Sequence, residues 1–143
     1  MIDISYLDQK IMDILQLPID EYDEPEFAPN AGYLNKIVAI MSDNLNRIND
    51  KVEISVPEFD IYSTPDGDVE ITYEVENVYF TICLSRGEIE TCTFSSVDDS
   101  GVSRDYIEGI LFNAPMSWGL FLGRGRGIKL KQIEKDANYN TES

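Results

Sequence analysis

Between Val52 and Phe94 apolar and polar residues alternate with a period of two, and turn-forming residues break the alternation at three places. Successive side chains of a strand point to opposite faces, so such a run buries one face only as a sheet whose register its turns dictate. If Pro65, Asp66 and Gly67 form a three-residue hairpin loop with Gly67 in the left-handed region, Thr64 stands opposite Asp68, Ile61 opposite Ile71 and Phe59 opposite Tyr73. A two-residue turn at Glu76 and Asn77 sets Val75 against Val78, Tyr73 against Phe80, Ile71 against Ile82 and Val69 against Leu84. A third turn at Arg86 and Gly87 brings Leu84 against Ile89. All three hairpins then share one apolar face. The other face carries Tyr62, Glu70, Thr72, Glu74, Tyr79, Thr81, Cys83, Glu90 and Cys92. In this register the two cysteines lie on the same face but diagonally apart by roughly 7–8 Å, beyond the span of a disulfide.

The flanking segments read differently. Ile4, Leu7, Ile11, Ile14 and Leu15 trace one stripe of a 3.6-residue repeat, which predicts a first helix capped by Asp3 and stopped before Pro18. A second helix is expected from Asn30 as cap to about Ile48, with Leu34, Ile37, Val38, Met41, Leu45 and Ile48 on its apolar face. The stretch between them, residues 20–29, holds five acids and two prolines and reads as an exposed connection. Beyond the alternating run, Ser103 reads as the start of a third helix with Tyr106, Ile107, Ile110 and Leu111 as apolar positions, ended by Pro115 at the latest. The segment from Met116 to Ile133 reads as two further short strands around a Gly123–Gly127 glycine-arginine loop, with Trp118 in the core. The expected architecture is α+β, with N-terminal helices packed on an antiparallel β-meander of four or more strands. It forms a single domain over residues 1–135 with a flexible tail from 136 to 143.

A chain of 143 residues can bury such a core without a disulfide or structural metal. Its net charge of −16 is unevenly spread: residues 1–119 hold 24 acids and 6 bases, residues 120–143 hold 3 acids and 5 bases. A body of that sign repels DNA, RNA and anionic lipid and attracts cationic surfaces. No leader-like segment opens the chain and no run of about 18 apolar residues occurs, so a cytoplasmic protein away from the membrane is expected. The absence of histidine excludes Ser-His-Asp and Cys-His catalysis and His-containing zinc sites, and two cysteines fall short of a four-thiolate site. Neither a cofactor nor a catalytic residue is called for. Pro65-Asp66 at a strand end matches the opening of a metal-dependent nuclease pattern, but the lysine due on the next strand is missing from Asp68 to Glu76. The acidic connection lacks the Asp-x-Asp-x-Asp-Gly order of a calcium loop, and Gly123–Gly127 lacks the Gly-Lys-Ser/Thr of a P-loop.

Binding to a partner therefore carries the functional reading. The candidate residues are Asp20, Glu21, Asp23, Glu24 and Glu26 of the connection, and Glu70, Glu74, Glu90, Tyr62 and Tyr79 on the polar face. Arg124 and Arg126 form a guanidinium pair suited to a partner's carboxylates. Carboxylates serve a binding surface best when fixed on a rigid scaffold, which the strand acids satisfy more readily than a mobile string.

The helix from Asn30 followed by Pro57, Phe59, Ile61, the turn Thr64-Pro65-Asp66-Gly67 and the alternating Val69, Ile71, Tyr73 covers about half the chain. It resembles a loose group of small bacterial proteins associated with toxin–antitoxin, defence or mobile-element loci. That resemblance implies a conflict-system setting. The expected function is a non-enzymatic inhibitor, antitoxin-like or immunity-type factor, of a bacterium or phage, that covers a basic surface on a nucleic-acid enzyme or toxin without itself binding nucleic acid. The competing readings are an oligomeric structural or assembly adaptor and, lower, a carboxylate-metal enzyme.

Overall fold

The alternation from Asp60 to Leu84 produces three strands in the register their turns dictate. In the computed structural model, which describes residues 1–124, β1 (Asp60–Ser63), β2 (Val69–Val75) and β3 (Val78–Leu84) pair antiparallel, with Ile61 opposite Ile71, Tyr73 opposite Phe80 and Val69 opposite Leu84. Gly67 sits at φ +87° and donates its N–H to the Thr64 carbonyl at 2.9 Å. Glu76 and Asn77 both have positive φ, the geometry whose twist matches a two-residue hairpin.

The third hairpin departs from the expected register. Residues Ser85–Glu88 form a turn closed by the Glu88 N–H on the Ser85 carbonyl at 2.8 Å, with Gly87 at φ +74°. The Glu88 carboxylate then takes the N–H groups of Ile89 and Glu90, and the Tyr33 hydroxyl donates to the Glu88 carbonyl at 2.5 Å. The loop therefore runs on to Glu90, and β4 (Thr91–Asp98) pairs Phe94 with Ile82 and Thr93 with Cys83. The shift of three residues reverses the parity of the strand: Cys92 and Phe94 turn inward, and Glu90 leaves the sheet face for the loop. The expected register would have put Phe94 beside Tyr79 on the wet face. Burying a phenylalanine is worth about 1.5–3 kcal/mol, more than a tighter turn offers.

Both cysteines are free, and adjacent register positions place them on opposite faces rather than diagonally on one. Burial pushes the Cys83 thiol up to about 11, with Asp68 and Glu70 adding to the shift, and burial pushes the Cys92 thiol up to about 12. Raised thiol values mean that the unfolded chain ionises first as pH rises. Their contribution is complete below pH 9 and is lost as pH climbs through the folded values. Native protein at pH 8 is expected to react with a thiol reagent at least tenfold more slowly than the same chain in denaturant, which should titrate two thiols. Rapid labelling of Cys92 in the native state would contradict its inward placement.

The segment from 103 to 124 exchanges the expected elements. After a turn held by the Asp98 carboxylate, which accepts from the N–H groups of Ser100 and Val102, the chain forms β5 (Ser103–Leu111) instead of a helix. Phe94 pairs with Ile107 and Cys92 with Ile110, so Glu108 and Gly109 together oppose Thr93 in a bulge, with Gly109 at φ +71°. The bulge turns two isoleucines three residues apart to the same side, and this imitates a helical period. Pro115, expected as a terminator, is the first residue of α3 (Pro115–Arg124), where its missing N–H is harmless. Trp118, Phe121 and Leu122 form the buried face of α3, where two strands were expected. The residues from Gly125 onward, including the rest of the glycine-arginine segment, the second of those strands and the tail, lie outside the described residues.

Of the N-terminal helices, α1 (Leu7–Leu15) starts later than its stripe suggested. Asp3 accepts from the Ser5 N–H instead of capping the helix, and Tyr6 occupies the cap position without a side-chain bond. The second, α2 (Ala31–Asn49), begins as expected, with Asn30 Oδ1 accepting the Tyr33 N–H at 2.8 Å.

The three helices bury their apolar stripes against one face of the sheet in one contiguous core. A file of aromatic rings, Tyr73, Phe80, Phe94, Phe121 and Trp118, runs through it at centroid separations of 4.9, 5.9, 5.0 and 5.3 Å. The strand order is β1-β2-β3-β4-β5. The β1 edge is short and is closed by α1, whose Lys10 meets Asp60 at 3.4 Å and whose preceding Tyr6 hydroxyl takes the Phe59 N–H at 2.8 Å. The β5 edge is broken by irregularities at both ends, and Asp105 accepts a bond at 2.8 Å from the buried Ser96 hydroxyl; both features discourage edge-to-edge pairing. No described helix is long and apolar enough to cross a membrane.

Candidate functional site: an acidic pole

An antiparallel meander places its odd-numbered turns at one end and its even-numbered turns at the other. The β1–β2 and β3–β4 turns therefore share an end, and the connection between α1 and α2 lands on it. Its acids are exposed as expected, but its backbone is anchored rather than mobile. Two 3-10 turns, Ile19–Glu21 and Pro25–Phe27, shape it, and Tyr22 between them is buried with its hydroxyl 2.5 Å from Ser63 Oγ. The Asp23 N–H donates to the Pro65 carbonyl at 3.0 Å. Phe27 packs over Gly67, where a Cβ would come within 2.4 Å of the Phe27 carbonyl oxygen.

Arg86 clamps this assembly from the β3–β4 turn. Its guanidinium lies 3.5 Å from the centroid of the Phe27 ring and donates through Nη1 to the Asp66 carbonyl at 3.3 Å, while the Arg86 backbone N–H donates to Asp68 Oδ1 at 2.9 Å. Such a cation over an aromatic face contributes about 0.5–1 kcal/mol at an exposed site. Its larger role is to join the connection to two turns.

Residues 20–28, 64–68 and 85–90 carry nine carboxylates, namely Asp20, Glu21, Asp23, Glu24, Glu26, Asp66, Asp68, Glu88 and Glu90, against the single Arg86. The Glu26 carboxyl is held below its ordinary range by its own backbone N–H, by Glu24 and, more weakly, by Arg86. Glu88 is held low by the N–H groups of Glu90 and Ile89. Both shifts keep charge on the pole, and their stabilising effect is present above the unfolded carboxylate range and lost as pH falls through the folded values. Like charges gathered on a surface repel one another, so the cluster persists because Tyr22, Phe27 and Arg86 fix the backbone beneath it.

The other candidates divide. Glu90, expected on the sheet, belongs to the pole. Tyr62, Glu70, Glu74 and Tyr79 do lie on the outer face, with Tyr62 opposite Glu70 and Tyr79 opposite Glu74. Burial raises the Tyr62 hydroxyl, and interactions with Glu70 and Tyr79 raise it further. The two tyrosines thus meet across β2, above Thr72, which is only 3% exposed although it points away from the core. Arg124 stands at the opposite end of the sheet, with Nε 3.8 Å from Asp105, and Arg126 lies outside the described residues. Asp66, Asp68 and Glu88 were missed by sequence reasoning. The signal was available, since a meander brings alternate turns together, but Asp66 had been assigned a turn role, Asp68 stood only as the residue opposite Thr64, and Glu88 had no role.

Among the described residues no cluster of acids or cysteines is arranged to hold a metal ion. No family model, no curated protein and no solved structure matches this chain.

Proposed function

We propose that the protein is a non-enzymatic binding protein whose acidic pole covers a basic surface of another protein. The partner class is a nucleic-acid enzyme or toxin, and the role is that of an inhibitor, antitoxin-like or immunity-type factor. The observation that carries this reading is the set of nine carboxylates against one arginine on a backbone pinned to two hairpin turns. A surface that would dock on phosphates carries ordered cations, and ordered anions complement it. Because the connection is already ordered, binding need not fix a loose chain, a cost of about 0.5–1.5 kcal/mol per immobilised side chain. The resemblance of the Thr64–Gly67 hairpin to proteins of conflict-system loci agrees with such a role.

The test is affinity capture from bacterial lysate, comparing the wild type with a variant carrying Asp23→Asn, Glu24→Gln, Glu26→Gln and Asp66→Asn. Basic proteins retained by the wild type near 50 mM salt are expected to elute by about 0.5 M, where the screening length falls below 5 Å, and to be missing from the variant. Identical retention by both proteins, or retention indifferent to salt, would remove charge complementarity as the basis of function.

A further inference from the structure

Two apolar surfaces remain besides the pole, and the first adjoins it. The first follows the buried stripe of α1: Met12, Leu15, Leu17 and Ile19 are all exposed, with acids at 13, 20 and 21 beside them. Four large apolar side chains exposed within eight residues mark an interaction surface rather than scattered surface residues. The second is a groove of about 700 Å³ between the last turns of α2 and the outer side of α3. Its apolar wall includes Ile48, Met116, Gly119 and Leu120. Met116 is 88% exposed, and a Cβ on Gly119 would meet nothing within 4 Å. Met116 and Leu120, one helical turn apart, give α3 a second apolar strip beside the buried Gly119, separate from the face that Trp118, Phe121 and Leu122 bury.

Charge distinguishes the two surfaces. Arg47 and Lys51 stand on the groove rim together with Asp50. Arg47 is shared with Asp43 at 3.1 Å, whereas Lys51 has no side-chain partner among the described residues. With Arg47 held by Asp43 and Asp50 beside it, Lys51 is the rim charge left to meet a carboxylate that flanks an apolar segment. This chain presents such a segment itself.

We propose that the segment 12–21 of one copy lies in the α2–α3 groove of the next. The two halves of the contact differ, so it is heterologous: each copy keeps a free groove and a free segment, and association does not close at a dimer. The contact is small and works against the net charge, so it belongs to the weak class of interfaces.

Sedimentation of the full chain at physiological ionic strength, from about 10 μM to about 1 mM, tests this across the range where weak contacts populate. The average mass is expected to rise past that of a dimer. Leu17→Asp and Met116→Asp should each remain monomeric, and an equimolar mixture should form a dimer and nothing larger, because only one intact segment and one intact groove can meet. Ile19→Asp and Lys51→Glu, also surface changes, replace them should either variant lose its native circular dichroism. A wild type that stays monomeric at the highest concentration overturns the proposal. Variants that associate like the wild type overturn it, and so does a mixture that fails to dimerise. None of these outcomes touches the residues that test the acidic pole.

Discussion

Gly67→Ala is expected to lower the unfolding free energy by about 2–4 kcal/mol and to release the acidic connection from the sheet. Two independent costs combine. The residue sits at φ +87°, where an L side chain is strained by about 1–3 kcal/mol. The added methyl would also lie 2.4 Å from the Phe27 carbonyl oxygen, 2.9 Å from Arg86 Cδ and 3.0 Å from Phe27 Cβ. The arginine side chain can swing away, but the Phe27 backbone yields only if the connection lifts. Gly87→Ala is the control: its φ of +74° is similar and nothing stands within 4 Å of its Cβ position, so only the backbone strain should appear, about 1 kcal/mol. Urea unfolding followed by circular dichroism gives both values, and equal losses at the two positions would mean that Phe27 is not seated on the hairpin. The functional consequence is sharper than the stability loss. If the pole binds because its backbone is pinned, Gly67→Ala should weaken retention of basic partners even in protein that remains folded.

The sequence was most legible where two local signals agreed. Ile61, Ile71 and Ile82 alternate inward, and Gly67 and Asn77 supply the positive φ their turns require, so pattern and turn chemistry set one register. Asn30 ahead of a 3.6-residue stripe fixed α2 in the same way. Legibility failed where one signal imitated another. Arg86-Gly87 looks like a two-residue hairpin turn, and only Phe94, which must be buried, reveals the longer loop that Glu88 stabilises with its own carboxylate. Ile107 and Ile110 carry helical spacing because a bulge at Glu108 and Gly109 restores their common face, and a bulge is a property of the paired strand that no local pattern prints. The run around Trp118 is too short for its period to be read, and it became a helix because Trp118, Phe121 and Leu122 cover the aromatic file. The candidate site shows the same division. Its acids were visible one by one, but their convergence depended on Tyr22 and Phe27, which look like ordinary residues of an acidic linker until the β1–β2 hairpin lies beneath them.

Trp118→Ala should be the most destabilising single substitution in the core, at about 3–5 kcal/mol. The indole is fully buried and meets Phe59, Phe112 and Phe121 edge-on at centroid distances of 6.2, 5.6 and 5.3 Å. It joins α3 to the segment before β1 and to the end of β5, so truncation opens a cavity that none of the three can close alone. Its Nε1–H also donates to the Phe112 carbonyl at 2.8 Å. Trp118→Phe keeps much of the packing but leaves that carbonyl without its donor, so a loss of about 1–3 kcal/mol is expected. The wild type contains one tryptophan, so circular dichroism rather than fluorescence must follow all three proteins. Alanine and phenylalanine variants of equal stability would mean that the cavity adds nothing beyond the lost hydrogen bond. Phe112 reaches the pole through a single bond, from its N–H to the Glu90 carbonyl at 2.8 Å, whereas the connection is held on the far strands β1 and β2. At a temperature where each variant is still folded, Trp118→Ala should therefore keep its hold on a basic partner and Gly67→Ala should lose it, although the tryptophan change costs at least as much stability.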